Sequence, residues 1–181
     1  MNKKDRIQML RDTGVANKSL IDSLDKIGFF EVPASLKHHG NYDGGLFDHS
    51  FEVAITLKQI TDGMGLKWAR EQSPMIIGLF HDLCKCDQYV RVKRKNETTG
   101  RMQFAGWDYN VNTLLTGHGE KSIMLLASHM TLTAEEILCI RYHMGAYNTD
   151  EWNQYDLAIK SCPNVLWTHT ADMYASKVVG I

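Results

Sequence analysis

The stretch PMIIGLFHDLCK, residues 74–85, decides the fold. Ser73 just before it suits a helix N-cap, and Pro74 suits the first helical position, where a missing N–H costs nothing. From Met75 to Phe80 the segment is apolar on every side, so its helix should run through the centre of the molecule. His81 and Asp82 stand at its carboxyl end. A carboxylate on so apolar a helix is costly to bury unless it is paired or holds a cation. One divalent ion would meet that cost for Asp82 and use the imidazole of His81 at once. The dipeptide by itself is weak, because such pairs arise often by chance in a chain with eight histidines.

Working outward, helical periodicity dominates. Upstream, a helix from about Leu46 to Gly63 turns Leu46, His49, Ser50, Val53, Leu57 and Ile60 to one face. The loop GNYDGG, residues 40–45, precedes it, and Pro33 breaks the chain before that. Asn17 caps a helix whose apolar stripe is Leu20, Ile21, Leu24 and Ile27. Downstream, YVRVKRK (89–95) and RMQFAGW (101–107) alternate on either side of NETTG, so a short β-hairpin is expected over 89–107, its basic residues solvated. His118 lies between two glycines just before a helix over 120–127. Thr133 and Glu136 form a capping box, and the helix behind it carries Ile137, Ile140 and Arg141 and ends at His143. A last helix starts near Pro163 and holds Val165, Leu166, His169, Asp172 and Met173.

The 181 residues, 44% hydrophobic and 23% charged, suit one globular domain of all-α class, residues 1–181, with no repeat and no low-complexity tract. The formal charge of −1 gives no general footprint for a long nucleic-acid duplex, though a mononucleotide or short strand stays open. Charges at Lys3, Lys4, Asp5 and Arg6 with no apolar run behind them predict no secretory leader, and no stretch approaches the ~18 apolar residues of a membrane span. Cys84, Cys86, Cys139 and Cys162 form no CxxC pair, which fits buried thiols in a reducing cytoplasm. A homodimer is the default assembly.

His49, His118, His143 and Asp172 stand on separate helices from His81 and Asp82. Helix bundles build metal sites from such converging side chains. Imidazole and carboxylate suit Mn, Fe, Ni, Co or Zn, with Mg where few nitrogens bind. Periodicity does not bring these groups together in space, and a lone histidine on an apolar face is more often a hydrogen-bonded core residue than a ligand.

Five blocks carry a resemblance: GGLFDHS (44–50), GLFHDLCK (78–85), GHGEKS (117–122), IRYHMGAY (140–147) and HTADMYAS (169–176). In that order they resemble the HD-domain metal-dependent phosphohydrolase superfamily, and the chain looks most like its small stand-alone bacterial and phage members. The resemblance implies an HD-type helical bundle with its core over about 44–178. It implies His49, His81, Asp82 and Asp172 as ligands of a first divalent metal. His118 and His143 match the two further ligands of the binuclear branch, in which Asp82 bridges two cations per chain (Mn, Fe, Ni, Co, Mg or Zn). Lys85 matches a lysine that contacts phosphate, while Cys84 stands where that motif has glycine. Asp82 and Lys85 are then the catalytic pair.

Further substrate contacts are expected from Lys121 and Ser122 at a helix start, from Arg141, and from His39 in the loop before GGLFDHS. Trp107 and Tyr147 can stack on a base, whereas His38, His129 and His169 are read as structural or solvent-facing. The expected substrate is a small phosphate compound, a nucleotide or short oligonucleotide, with no membrane partner. The related exoribonucleases carry an added nucleic-acid-binding domain that this chain has no room for, which favours a small substrate. A di-iron oxygenase shares the six-ligand pattern, and a metal- or nucleotide-binding sensor without catalysis is a third reading.

Overall fold

The structure, a computed structural model, describes residues 1–113, 117–146 and 151–181. Tyr147 lies outside them. Among the described residues eight α-helices and one hairpin follow in the order α1 (Lys3–Asp12), α2 (Lys18–Lys26), α3 (Gly45–Met64), α4 (Ser73–Phe80), β1 (Tyr89–Lys95), β2 (Met102–Tyr109), α5 (Gly119–Ala127), α6 (Ala134–Arg141), α7 (Trp152–Ser161) and α8 (Asn164–Tyr174). A 3-10 turn, Leu83–Cys86, follows α4, and a π-helical turn, Ala175–Val179, follows α8. None of the helices described is long and apolar enough to cross a membrane.

As its composition demands, α4 is central. Ile76 to Phe80 are all buried, and the helix packs against α3, α6 and α8. Gly78 permits the closest of these approaches, since a Cβ there would lie 2.3 Å from Ala54 Cα on α3. Phe80 meets Phe29, and Phe29 and Phe30 meet Phe47, in a cluster of tilted and edge-on rings. This cluster closes the core on the side of α2.

Several local expectations need correction. Ser73 does not cap α4. The N-cap is Gln72 without a side-chain bond, and the Ser73 hydroxyl donates to Glu136 Oε1 at 2.9 Å. A buried carboxylate outcompetes a backbone amide for that hydroxyl. Ile27 is 38% exposed rather than part of the α2 stripe. Gly28, at φ +87°, reverses the chain past the helix end, so Phe29 and Phe30 enter the core in its place. The sixth helix stops at Arg141, and His143 stands in the turn after it. The capping box of Thr133 and Glu136 forms as expected.

Two helices, α1 and α7, go beyond what the sequence pattern predicts. The first, α1, begins with a capping box of Asn2 and Asp5 and is anchored by buried Arg6, whose guanidinium grips Asp48 of α3 through two bonds of 2.8 Å. The other is α7, which packs on α8. The hairpin is present and runs two residues further than expected, to Tyr109. Its register passes from Val92 opposite Gly106 to Lys93 opposite Phe104, leaving Ala105 as a bulge.

Candidate metal centre

Five segments converge on Asp82. The second turn of α3 supplies His49 and the end of α4 supplies His81. Asp82 itself, at φ −107° and ψ 19°, turns the chain from α4 into the 3-10 turn. His118 immediately precedes α5, His143 follows α6, and Asp172 sits in α8. The meeting of His118 with His143 depends on Gly119. A Cβ there would fall 2.6 Å from the carbonyl oxygens of Ile140 and Arg141, so glycine lets α5 start directly on the end of α6.

The two oxygens of Asp82 face different partners. Oδ2 lies 3.7 Å from His49 Nε2, 3.4 Å from His81 Nε2 and 2.6 Å from Lys85 Nζ. Oδ1 lies 2.8 Å from His118 Nε2 and 3.4 Å from His143 Nε2. Asp172 Oδ1 completes the first side, 3.1 Å from His49 Nε2 and 4.0 Å from His81 Nε2. The donor atoms of His49, His81 and Asp82, of His81, His143 and Asp172, and of Asp82, His118 and His143 each fall within 4.8 Å of one another. All six residues sequence reading proposed as ligands therefore meet in one place. Buried His/Asp clusters of this kind can hold metal ions.

Ring orientation strengthens the fit. The Nδ1 atoms of His49, His81 and His143 lie 2.9, 2.8 and 2.7 Å from the oxygens of Ile181, Gly78 and Ile140. A carbonyl only accepts, so each Nδ1 carries the hydrogen and donates it. In the neutral ring each Nε2 then presents a lone pair to the centre. Those three Nε2 atoms are buried and make no hydrogen bond among the described residues. Buried unpaired acceptors aimed at two carboxylates are what a cation satisfies.

Without a cation, protons answer the same charge. Burial works against ionising His118, but its bond to Asp82 and its contact with Cys84 outweigh that and lift it to about 10. Burial likewise opposes the charges on His81 and Lys85, and Asp82 outweighs it, raising both. Asp82 and Asp172 are pushed up by burial yet held below the ordinary carboxylate range, the former by the charges of Lys85 and His81, the latter by its contact with His49 and the nearness of His81. Burial alone dominates at His143 and lowers it.

The other proposed contacts divide. Lys85 is inside the cluster and, among the described residues, is the only lysine or arginine paired with a cluster carboxylate. His39 packs its ring 4.8 Å from that of His49, both its ring nitrogens are buried without a partner, and burial with the nearness of His49 pushes it down to about 4. Lys121 is buried and spent on an ion pair with Asp87. The Ser122 hydroxyl accepts the Cys84 N–H at 3.0 Å and lies 3.3 Å from the His118 carbonyl, so it ties α5 to the 3-10 turn. Arg141 pairs with Glu120 at 2.6 Å and lies over the Tyr142 ring. Both Arg141 and Glu120 line a pocket of about 440 Å³ that reaches His118. A larger hollow of about 720 Å³ beside Trp68 and Trp167 touches none of the six converging residues and is no part of this cluster. Trp107 is half-buried with Nε1 donating to Asp43 at 2.7 Å. His169 donates Nδ1–H to the His143 carbonyl at 2.7 Å, and His38 and His129 are exposed.

One contributor was missed. Cys84 Sγ lies 3.4 Å from His118 Nδ1, so a thiol takes the place that a backbone oxygen fills behind the other three rings. Its signal was visible as the departure from glycine in the HDLCK block. Comparison with known protein families, curated proteins and solved structures gives no match for this chain.

Proposed function

We propose that the chain is a metal-dependent phosphohydrolase of HD-domain type, cleaving a phosphomonoester or phosphodiester of a nucleotide or short oligonucleotide. The observation that carries this reading is the division of Asp82. One oxygen faces His49 and His81, which also meet Asp172, the other faces His118 and His143, and His49, His81 and His143 turn unpaired Nε2 atoms inward. Such a carboxylate suits two cations side by side. Divalent ions held there would supply an activated water and Lewis-acid neutralisation of phosphate charge.

The chain's own residues do the rest. The backbone oxygens behind His49, His81 and His143 fix the rings so that no reorganisation is needed on binding. Lys85 balances the charge of Asp82. Relieved of that duty by a bound cation, its ammonium is the nearest positive group for a non-bridging phosphate oxygen. His39 packs its ring over that of His49.

Asp82→Ala tests the reading. Wild-type protein reloaded with manganese, nickel or cobalt should hydrolyse a chromogenic phosphodiester or a member of a nucleotide panel, and the variant should retain none of that activity. Equal activity in the variant, or an iron-loaded wild type that consumes oxygen and hydrolyses nothing, overturns it.

A further inference from the structure

The hairpin β1–β2 differs in charge from the rest of the chain. Residues 89–109 hold five of the 20 lysines and arginines against two acidic residues, in a chain whose formal charge is −1. Strand pairing sorts its side chains. Tyr109 lies opposite Tyr89, Trp107 opposite Arg91, Phe104 opposite Lys93 and Met102 opposite Lys95. Cross-strand partners share a face, as do alternate residues of β1, and the bulge at Ala105 keeps Phe104 in phase with Trp107. One face therefore alternates aromatic and cationic side chains from its base to its tip.

At the base of the face Tyr89 is buried and Trp107 half-buried; beyond them it is open to solvent. Phe104 is 44% exposed and Tyr109 51%. Arg91 lies 5.1 Å from the centroid of the Phe104 ring and 4.9 Å from that of Trp107, its charge shared with Glu31 and Asp43. Beyond it Lys93 and Lys95 form no ion pair among the described residues. The base of the face adjoins the metal centre by construction. The 3-10 turn containing Lys85 runs directly into Tyr89, and Trp107 is bonded to Asp43 in the loop that enters α3 ahead of His49.

We propose that this face is a binding platform for single-stranded nucleic acid. Bases stack on Phe104 and Tyr109, and backbone phosphates lie against Lys93 and Lys95. A duplex hides its base faces and gains nothing from exposed rings. An anionic membrane would favour a contiguous apolar edge over rings separated by cations. That the platform leads a strand end toward the centre rests on the hydrolase reading; the binding itself does not. The local basic surplus also revises the inference from net charge, which averages this hairpin with an acidic remainder.

Fluorescence anisotropy tests the platform with the full chain in chelator, so that binding is read without turnover. The probes are a labelled oligothymidylate of about twelve nucleotides, its duplex, and vesicles of anionic phospholipid. The expected result is single-strand binding at least about tenfold tighter than duplex binding. Phe104→Ala should weaken it on the order of tenfold, while Phe104→Trp retains it. The double change Lys93→Gln with Lys95→Gln should lower the slope of log affinity against log salt by about 1.4, two phosphates' worth. No binding at about 100 μM protein, duplex bound as tightly as single strand, vesicles bound in place of the oligonucleotide, or an unchanged Phe104→Ala overturns the platform. Oligonucleotide binding without hydrolysis of any phosphate ester on metal reloading keeps the platform and removes the hydrolase. Hydrolysis of small esters without oligonucleotide binding does the reverse.

Discussion

The two sides of Asp82 are built differently. On the Oδ2 side, His49 and His81 are wholly buried, their rings are held by backbone oxygens, and Asp172 adds a second carboxylate. On the Oδ1 side, His143 is equally buried and held, but the His118 side chain is 33% exposed. His118 precedes a helix start without a side-chain cap, and what stands behind its ring is the Cys84 thiol. Sulfur is a weak and deformable hydrogen-bond partner. Every imidazole of the first side is thus set by a backbone oxygen, from α4 itself at His81 and from Ile181 at His49, whereas on the second side His118 rests on one soft contact and the junction of α5 with α6. A cation on the Oδ2 side should be held more tightly than its neighbour.

The largest effect that would break this contrast is in metal content. Dialysed against manganese and analysed for metal, wild type should hold about two cations per chain, His118→Ala about one and Asp82→Asn close to none. A content unchanged by His118→Ala would remove the Oδ1 side from the centre and leave a single-cation site. A smaller effect comes from behind the ring. Cys84→Ala removes the partner of His118 Nδ1 without touching a ligand, and should weaken the second cation alone by about 10–100-fold in a titration with cobalt, leaving the first unchanged. Cys84→Ser, which keeps a hydrogen-bonding group, should restore most of that loss. Equal weakening of both cations would show that Cys84 acts through packing.

This contrast also marks what the sequence could reveal. The apolar run of α4 and the periodic face of α3 display His81 and His49 directly, because a helix surrounded by core must be apolar all round. Convergence was not legible there, since a period assigns a face and never a partner. The meeting of His118 with His143 turns on the absence of a side chain at Gly119, and the fate of Lys121 on Asp87, 34 residues away in the chain. The first helix is mostly polar and held by Arg6 on Asp48, a tertiary pair with no periodic trace. In α7, Trp152 and Leu157 are exposed at 58% and 64%, which blurs the apolar stripe that would have announced a helix. The hairpin was legible because strict alternation about a turn-forming NETTG has few other readings.

The smallest expected effect on the metals separates the frame from the ligands. Glu136 binds no ligand, yet it joins the two helices that deliver His81 and His143. It accepts from Arg70 Nε and Nη2 at 2.7 Å each, from Ser73 Oγ at 2.9 Å and from the Thr133 N–H at 2.9 Å. Glu136→Gln keeps the shape, removes the charge and turns an NH2 group toward donors. Stability should fall by roughly 2 kcal/mol in a denaturant titration, while manganese content stays at the wild-type level. The loss has a definite pH signature. Burial opposes the charge on Glu136, but Arg70, the Thr133 N–H and the Ser73 hydroxyl outweigh it and hold the carboxyl below its usual range. Its contribution is therefore complete above about pH 4.3, the unfolded value, and disappears as pH falls through the lower folded value. Wild-type and variant stabilities should converge on that descent. A gap that persists into acid would mean that the geometry of the network, and not the charge on Glu136, holds α4 to α6.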